Sequence, residues 1–379
     1  MPTSPRGSVR APLRLAFAVL LCAGFFAAPS ALAQSHAAAI DSLGRGLSEG
    51  RPGAVVIGVW IGGEPAVHGF GAVDSTGTPP TAQTIFEIGS ITKTFTGLLL
   101  ADAVERGAVQ PGAPVRRFLP DSLRRANSAA APITLTHLAT HRSGLPRLPS
   151  NLRASVRANP SDPYAKYDQD ALYAYLKETG LSRASNAAYA YSNLGMGLLG
   201  HVLARRADTS YAALVQRRVA VPLSLPDTRI RLTPTQRGRF AQGHDATGRP
   251  APPWHFPTLA GAGALRSTPA DMLAYARAHL TASDTTALGR AMLRATAAHA
   301  PTDQQSTRIG YGWHRTTRGA HTIVWHNGGT GGFSSFIGMH PESRRAVVLL
   351  AGIADGAAVT RAGFVLMDRL VSSAAPAKP

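Results

Sequence analysis

Strand-forming segments near both ends of this chain enclose a long helical middle, and that arrangement limits the folds open to it. Val55–Ile61 is a β-rich run, Gly62-Gly63 is a turn, and Ala66–Gly71 is a second strand, together a hairpin. Three more strands are expected far down the chain, at Thr322–Trp325, Phe336–Met339 and Ala346–Leu350, followed by a helix near Val359–Val371. Between them, from about Ile133 to Arg249, Pro-rich breaks separate helical segments. Ala171–Glu178 and Leu194–Arg206 carry helical apolar spacing, Asn159–Pro163 reads as a loop, and Pro269-Ala270-Asp271 opens a further helix. The pattern predicts an α/β layer, roughly 36–130 and 255–371, plus an all-helical subdomain, roughly 131–254, with a cleft between them. Residues 372–379 form a polar tail.

One short segment carries chemistry in its spacing. In Phe86–Leu100, apolar Ile91, Phe95, Leu98 and Leu99 repeat at helical intervals, so a helix should begin near Ser90. Lys93 then lies one turn from Ser90, its amine beside the hydroxyl. A serine hydroxyl becomes a nucleophile when a base takes its proton, and a desolvated neutral lysine can be that base. The N–H groups and dipole of a helix start favour negative charge at the same oxygen. Composition sharpens this reading. The chain has 39 Lys+Arg, yet lysine occurs only at 93, 166, 177 and 378. Arginine cannot give up its proton, so a lysine kept at 93 suggests that deprotonation is required.

The N-terminus reads as an export signal. Arg6, Arg10 and Arg14 precede an apolar run from Leu15 to Ala28, and Ala31-Leu32-Ala33 makes an A-x-A cleavage site, giving a signal peptide over 1–33. The run is too short for a membrane span, so no transmembrane anchor is expected after cleavage. Cys22 lies inside the signal and is the chain's single cysteine. The mature chain would therefore use no disulfide, thiol nucleophile or cysteine-bound metal. The expected location is periplasmic or secreted. About 345 residues then remain, enough for one large domain or two interleaved ones. The formal net charge of +18 comes as scattered pairs such as Arg205-Arg206 and Arg344-Arg345, without a nucleic-acid-binding module. A basic surface favouring anionic envelope polymers is the better reading.

Two further groups complete a candidate site. Tyr189-Ala190-Tyr191-Ser192-Asn193 precedes the helix from Leu194. It reads as an N-cap at Ser192 or Asn193, or as a phenol and an amide delivered to the cleft. In the second reading Tyr191 shares a proton with Ser90 and Lys93, and Asn193 binds a substrate amide or holds Lys93. His326-Asn327-Gly328-Gly329 follows the strand ending at Trp325. It reads as a glycine-rich turn, or as a β-edge that pairs with an extended substrate. The edge would lend the Gly329 N–H to an oxyanion hole shared with the Ser90 N–H. His137 and His141 lack the glutamate of a zinc-protease motif, and Gly261-Ala262-Gly263 does not complete a dinucleotide fingerprint. No cofactor and no metal are expected.

Taken in chain order, these elements resemble the serine β-lactamase and penicillin-binding-protein superfamily. The match looks like the class C-type branch, which includes D,D-carboxypeptidases, D-aminopeptidases and esterases. Phe86–Gly97 is similar to its nucleophile helix, Tyr191-Ser192-Asn193 to its Tyr-x-Asn element, and His326-Asn327-Gly328 to its third motif. Leu138–Pro146 and Gly261–Met272 are also similar, so the resemblance spans nearly all of 34–371. It implies an α+β fold of the β-lactamase/transpeptidase type, an antiparallel sheet flanked by helices plus a helical subdomain. It also implies acyl-enzyme chemistry at Ser90, with Lys93 and Tyr191 catalytic and Asn193, His326, Asn327 and Gly328 binding substrate. The third motif departs from the Lys-Thr-Gly of class C β-lactamases, and Asn327 removes a hydroxyl that would help bind a carboxylate. D-alanyl peptides of the cell wall or β-lactams are the expected substrates. The alternatives are a carboxylesterase of the same fold or a slow penicillin-binding or sensing module.

Overall fold

The computed structural model describes residues 1, 3, 31–124, 131–181 and 188–373. The predicted signal peptide lies largely outside them, as do residues 374–379 of the predicted tail; Ala31–Ala33 are the first residues of a helix. That helix, α1 (Ala31–Ser48), leads into a hairpin of β1 (Ala54–Ile61) and β2 (Glu64–Gly71). The helical middle includes α2 (Thr92–Glu105), α3 (Leu135–Ala139), α4 (Gln169–Thr179) and α5 (Asn193–Arg206). After α6 (Pro269–Leu280) and α7 (Ala287–Thr296) come β3 (Ala300–Pro301), β4 (Thr307–Ile309), β5 (His314–Arg318), β6 (His321–Gly329), β7 (Ser334–His340) and β8 (Arg345–Ala351). Helix α8 (Gly356–Ser372) closes the described chain.

These eight strands form one antiparallel sheet in the order β2-β1-β8-β7-β6-β5-β4-β3. The two ends of the chain meet where β1 pairs with β8, Val55 opposite Ala351 and Trp60 opposite Ala346. The continuous apolar run of β1 follows from cover on both faces. Val55, Ile57 and Val59 pack with Ile40 of α1 and Leu366 of α8, whereas Ala54 and Val56 belong to the core on the opposite face. Each such aliphatic side chain contributes about 1.5–3 kcal/mol on full burial.

Helix α2 runs through the larger core and is buried on every side from Thr92 to Ala103. The apolar stripe expected from the sequence is therefore only part of what it buries, as befits an internal helix. It is wedged between α7, α5 and a 3-10 turn at Ala260–Ala262. That turn is locked to α2 by Thr96, whose hydroxyl donates to Gly261 O at 2.8 Å. Among the described residues no helix is long and apolar enough to cross a membrane.

Candidate active site

Ser90 is not the first residue of α2 but the middle of a 3-10 turn, Gly89–Ile91, that precedes it. Gly89 makes the turn possible. Its φ of +48° is a left-handed conformation, and a Cβ there would meet Gly329 N at 2.6 Å and Gly329 O at 2.8 Å. Lys93 Nζ lies 2.8 Å from Ser90 Oγ and donates to Ala262 O at 2.6 Å. The amine is fully buried with no carboxylate against it among the described residues. Burial first, then the positive charge of Arg147, holds its pKa well below the ordinary lysine value. A neutral amine gives Ala262 one N–H and has a lone pair to turn toward the Ser90 proton.

Tyr191 and Asn193 reach the cleft because the residue between them caps α5. Ser192 has extended backbone, its hydroxyl accepts from Gly195 N at 2.8 Å and donates to Pro146 O at 2.6 Å. Both readings of this segment therefore describe one arrangement. His141 braces it from α3's C-terminal side. Its φ of +56° is an uncommon left-handed conformation, its carbonyl accepts from Ala190 N at 2.8 Å, and its Nδ1 accepts from Ser192 N at 3.1 Å. Burial pushes the Tyr191 phenol up to about 12, against a hydrogen bond with Ser90 that pulls it down. The phenol thus keeps its proton near neutral pH, whereas burial pushes Lys93 toward its neutral form. Asn193 does not hold Lys93. Its Nδ2 donates to the Tyr164 hydroxyl at 3.0 Å, and its buried Oδ1 has no partner among the described residues.

The third element comes from β6. Its neighbour β5 pairs with it only from His321 to Trp325, so His326–Gly329 run on beyond β5, alongside the Ser90 turn. Gly328 and Gly329 are thus the end of the strand rather than a turn following it, paired with Ser335 and Ser334 of β7. A Cβ on Gly328 would strike Ile88 O and Ser335 Oγ and come within 2.9 Å of Ser90 N. That contact puts β6 against the start of the nucleophile turn, where Ser90 N–H has no intrahelical partner.

Strand alternation separates the two side chains expected beside it. His326 is buried on the cleft side, its ring 6.2 Å from that of Tyr191. Asn327 points to the other face, where its Nδ2 donates to Thr360 of α8 at 2.9 Å. The side chain of Asn327, a residue expected to bind substrate, is thus turned away from His326 and occupied by α8. His326 is held neutral, its pKa driven well down by burial first and then by His314 and Lys93.

Several contributors escaped the sequence reading. Ala262 O, from the stretch discounted as a nucleotide motif, receives the Lys93 amine. Tyr164 holds Asn193 and stacks on Phe256 at 4.4 Å between ring centroids. His314 Nε2 shares a hydrogen bond with the Tyr189 hydroxyl at 3.0 Å, and its ring lies 5.1 Å from that of His326. Arg147 stands over the Tyr191 ring, 5.1 Å from its centroid. None has a spacing signal, because each meets the site through tertiary packing alone. His137 and His141 part company: the first closes the capping box of α3, the second braces Ser192.

A serine hydrogen-bonded to a buried lysine of depressed pKa, with a tyrosine alongside and a strand end over the turn, is an arrangement equipped for acyl transfer. The family model described as Beta-lactamase matches residues 34–367. The chain belongs to the beta-lactamase family. Its family relatives include the D-alanyl-D-alanine-carboxypeptidase/endopeptidase AmpH of Escherichia coli K12, 27% identical over 276 residues that cover 69% of each chain. A Beta-lactamase of Escherichia coli K12 is 30% identical over 194 residues, 51% of this chain and 47% of that one. The crystal structure of a Beta-Lactamase/D-Alanine Carboxypeptidase from Pseudomonas syringae shares the fold, with a TM-score of 0.77 at 20% identity over 90% of this chain and 100% of that one. The fold is accordingly of the β-lactamase/transpeptidase type, and the family is one of serine hydrolases.

Proposed function

We propose that the protein is an exported serine acyl hydrolase that forms an acyl-enzyme at Ser90 and acts on D-alanyl peptide amides of the cell wall or on β-lactams. The observation that carries this reading is the 2.8 Å contact between Ser90 Oγ and a buried lysine amine whose pKa is held well below its ordinary value. Lys93 takes the Ser90 proton as the oxygen attacks the carbonyl carbon. The oxyanion forms against the Ser90 and Gly329 N–H groups; such a donor is typically worth about 2.7–4 kcal/mol in the transition state. The proton then passes, with Tyr191 in the relay, to the departing nitrogen, and water releases the acyl group from Ser90. Asn193 Oδ1 accepts from an amide N–H of the acyl portion. Export is supported by the basic, apolar and small-residue N-terminus and by a family match that begins at residue 34, directly after the predicted cleavage site.

His326 is neutral and Asn327 faces away, so β6 offers no side-chain cation or hydroxyl for a ring carboxylate. Short-chain esters, which carry no such carboxylate, are therefore expected to turn over faster than β-lactams. Mass spectrometry of the mature protein with a β-lactam, followed over time beside a D-alanyl peptide and an ester, tests the reading. A Ser90-linked adduct that forms and decays, and is lost in Ser90→Ala, is expected. An adduct persisting in folded Ser90→Ala, or rapid nitrocefin turnover without peptide or ester activity, contradicts it.

A further inference from the structure

The cleft holds many ionisable groups but little charge. Lys93, His141, His314 and His326 are all pushed toward their neutral forms, by burial before any other cause. Tyr164, Tyr189 and Tyr191 are pushed up, also by burial, and stay protonated near neutral pH. Against this neutral background Arg147 is a permanent cation. Its guanidinium lies 5.1 Å from the centroid of the Tyr191 ring, whose other neighbours include Lys93 Nζ at 4.9 Å and the His141 ring at 4.5 Å. Its charge is felt at Lys93, Tyr191, Tyr164, His141 and Tyr189. Its backbone is pinned, since the carbonyl accepts from Asn193 N at 3.0 Å and Leu194 N at 3.2 Å. The side chain remains exposed and, among the described residues, has no ion pair. The nearby exposed carboxylate, Asp303, acts on Tyr189 and His314 and does not reach Arg147 as a partner.

We propose that Arg147 is the specificity-determining residue of the site, binding a carboxylate of the substrate through its unpaired guanidinium at the rim above Tyr191. The assignment rests on the acyl-hydrolase reading of that site and adds the substrate's charge to it. A planar guanidinium accepts a carboxylate through two parallel N–H···O bonds, which fixes orientation as well as affinity. The anchor stands on the helical side of the cleft, fixed to the first turn of α5 that also presents Asn193. A substrate held there is gripped between Arg147 and the strand end at Gly329, with its carbonyl over Ser90. Two carboxylates could fill this role, the C-terminal one on the leaving residue and a side-chain one on the acyl peptide.

Binding to the Ser90→Ala protein separates this anchor from catalysis. Affinities are measured by calorimetry for a D-alanyl-D-alanine peptide carrying a side-chain carboxylate, for its C-terminal carboxamide, and for its side-chain carboxamide. Each is repeated with Arg147→Ala and Arg147→Lys added, after circular dichroism and melting establish that the variants fold. The expected result is a loss of about tenfold or more when one carboxylate is amidated. That loss should disappear with Arg147→Ala and return in part with Arg147→Lys. The amidation that matters identifies which carboxylate Arg147 holds. Equal affinities for all three peptides, a preference that survives Arg147→Ala, or no binding of any of them overturns the proposal. Acylation of Ser90 is read separately by mass, so a protein that acylates without charge preference loses only the Arg147 assignment.

Discussion

Lys93 is buried without a carboxylate, so folding must strip a proton or a hydration shell from it. Its pKa is ordinary in the unfolded chain and depressed in the folded one. Below about 10.4 the unfolded state therefore binds more protons, and stability falls as pH drops from there toward the folded value. Lys93→Met, similar in length and apolar, should raise the melting temperature at pH 7, and the gain should shrink toward pH 10. A melting temperature that falls at both pH values would show that the bonds to Ser90 and Ala262 outweigh the desolvation of the amine. Lys93→Arg tests the chemistry instead of the charge. Arginine cannot accept the Ser90 proton, its pKa staying above about 12, so the variant should lose nearly as much acylation rate as Lys93→Ala. General-base catalysis typically contributes about 10²–10⁴-fold. Acylation by folded Lys93→Arg within about tenfold of the native rate would move the role of base to Tyr191.

At the scale of elements, the site depends on how closely β6 approaches the Gly89–Ile91 turn. Gly328 has no room for a side chain, because Ile88 O, Ser335 Oγ and Ser90 N surround its Cβ position. Gly329, one residue on, has open space, its nearest neighbour being Phe333 O at 3.7 Å. Gly328→Ala should force the strand off the turn, open the oxyanion hole and cost about 10²–10³ in acylation rate. Gly329→Ala keeps its N–H and should stay within about tenfold of the native rate, short of that range. Comparable losses in the two variants, measured as acylation rates on folded protein, would mean that the glycines matter for chain flexibility and not for the approach.

For the whole molecule, charge works at long range. The sequence has 39 Lys+Arg against 21 Asp+Glu, and many of its carboxylates are already engaged, as in the pairs Arg318–Asp368 and Arg294–Glu105. The remaining excess is positive, a charge balance that favours long-range steering of anionic substrates. With a polyanionic cell-wall fragment as substrate, kcat/KM should fall as ionic strength rises from 0.01 to 0.15 M, where the screening length shrinks from about 30 to 8 Å. Hydrolysis of a neutral ester should stay level over the same range. Parallel salt responses of the two substrates would rule out steering.

Much of this molecule was legible in one dimension because its signals are local. The Gly62-Gly63 hairpin, the apolar periods of α4 and α5, the Pro269-Ala270-Asp271 start of α6, and the serine and lysine one helical turn apart depend only on neighbours within a few residues. Ser192 was recognisable as a cap for the same reason, though not that capping is what frees Tyr191 and Asn193 for the cleft. The sequence also carried the likeness to the beta-lactamase family, on which the proposal of acyl transfer at Ser90 rests. The tertiary structure decided what depends on distance across the fold. It turned Asn327 toward Thr360, since a strand's alternation assigns opposite faces to neighbours but not which face meets the cleft. It brought Ala262 O to Lys93, 169 residues away in sequence, and carried Arg147 over Tyr191. Above all it supplied the burial that depresses the Lys93 pKa: a lysine's spacing names a possible base, but only the surrounding low-dielectric core favours its neutral form.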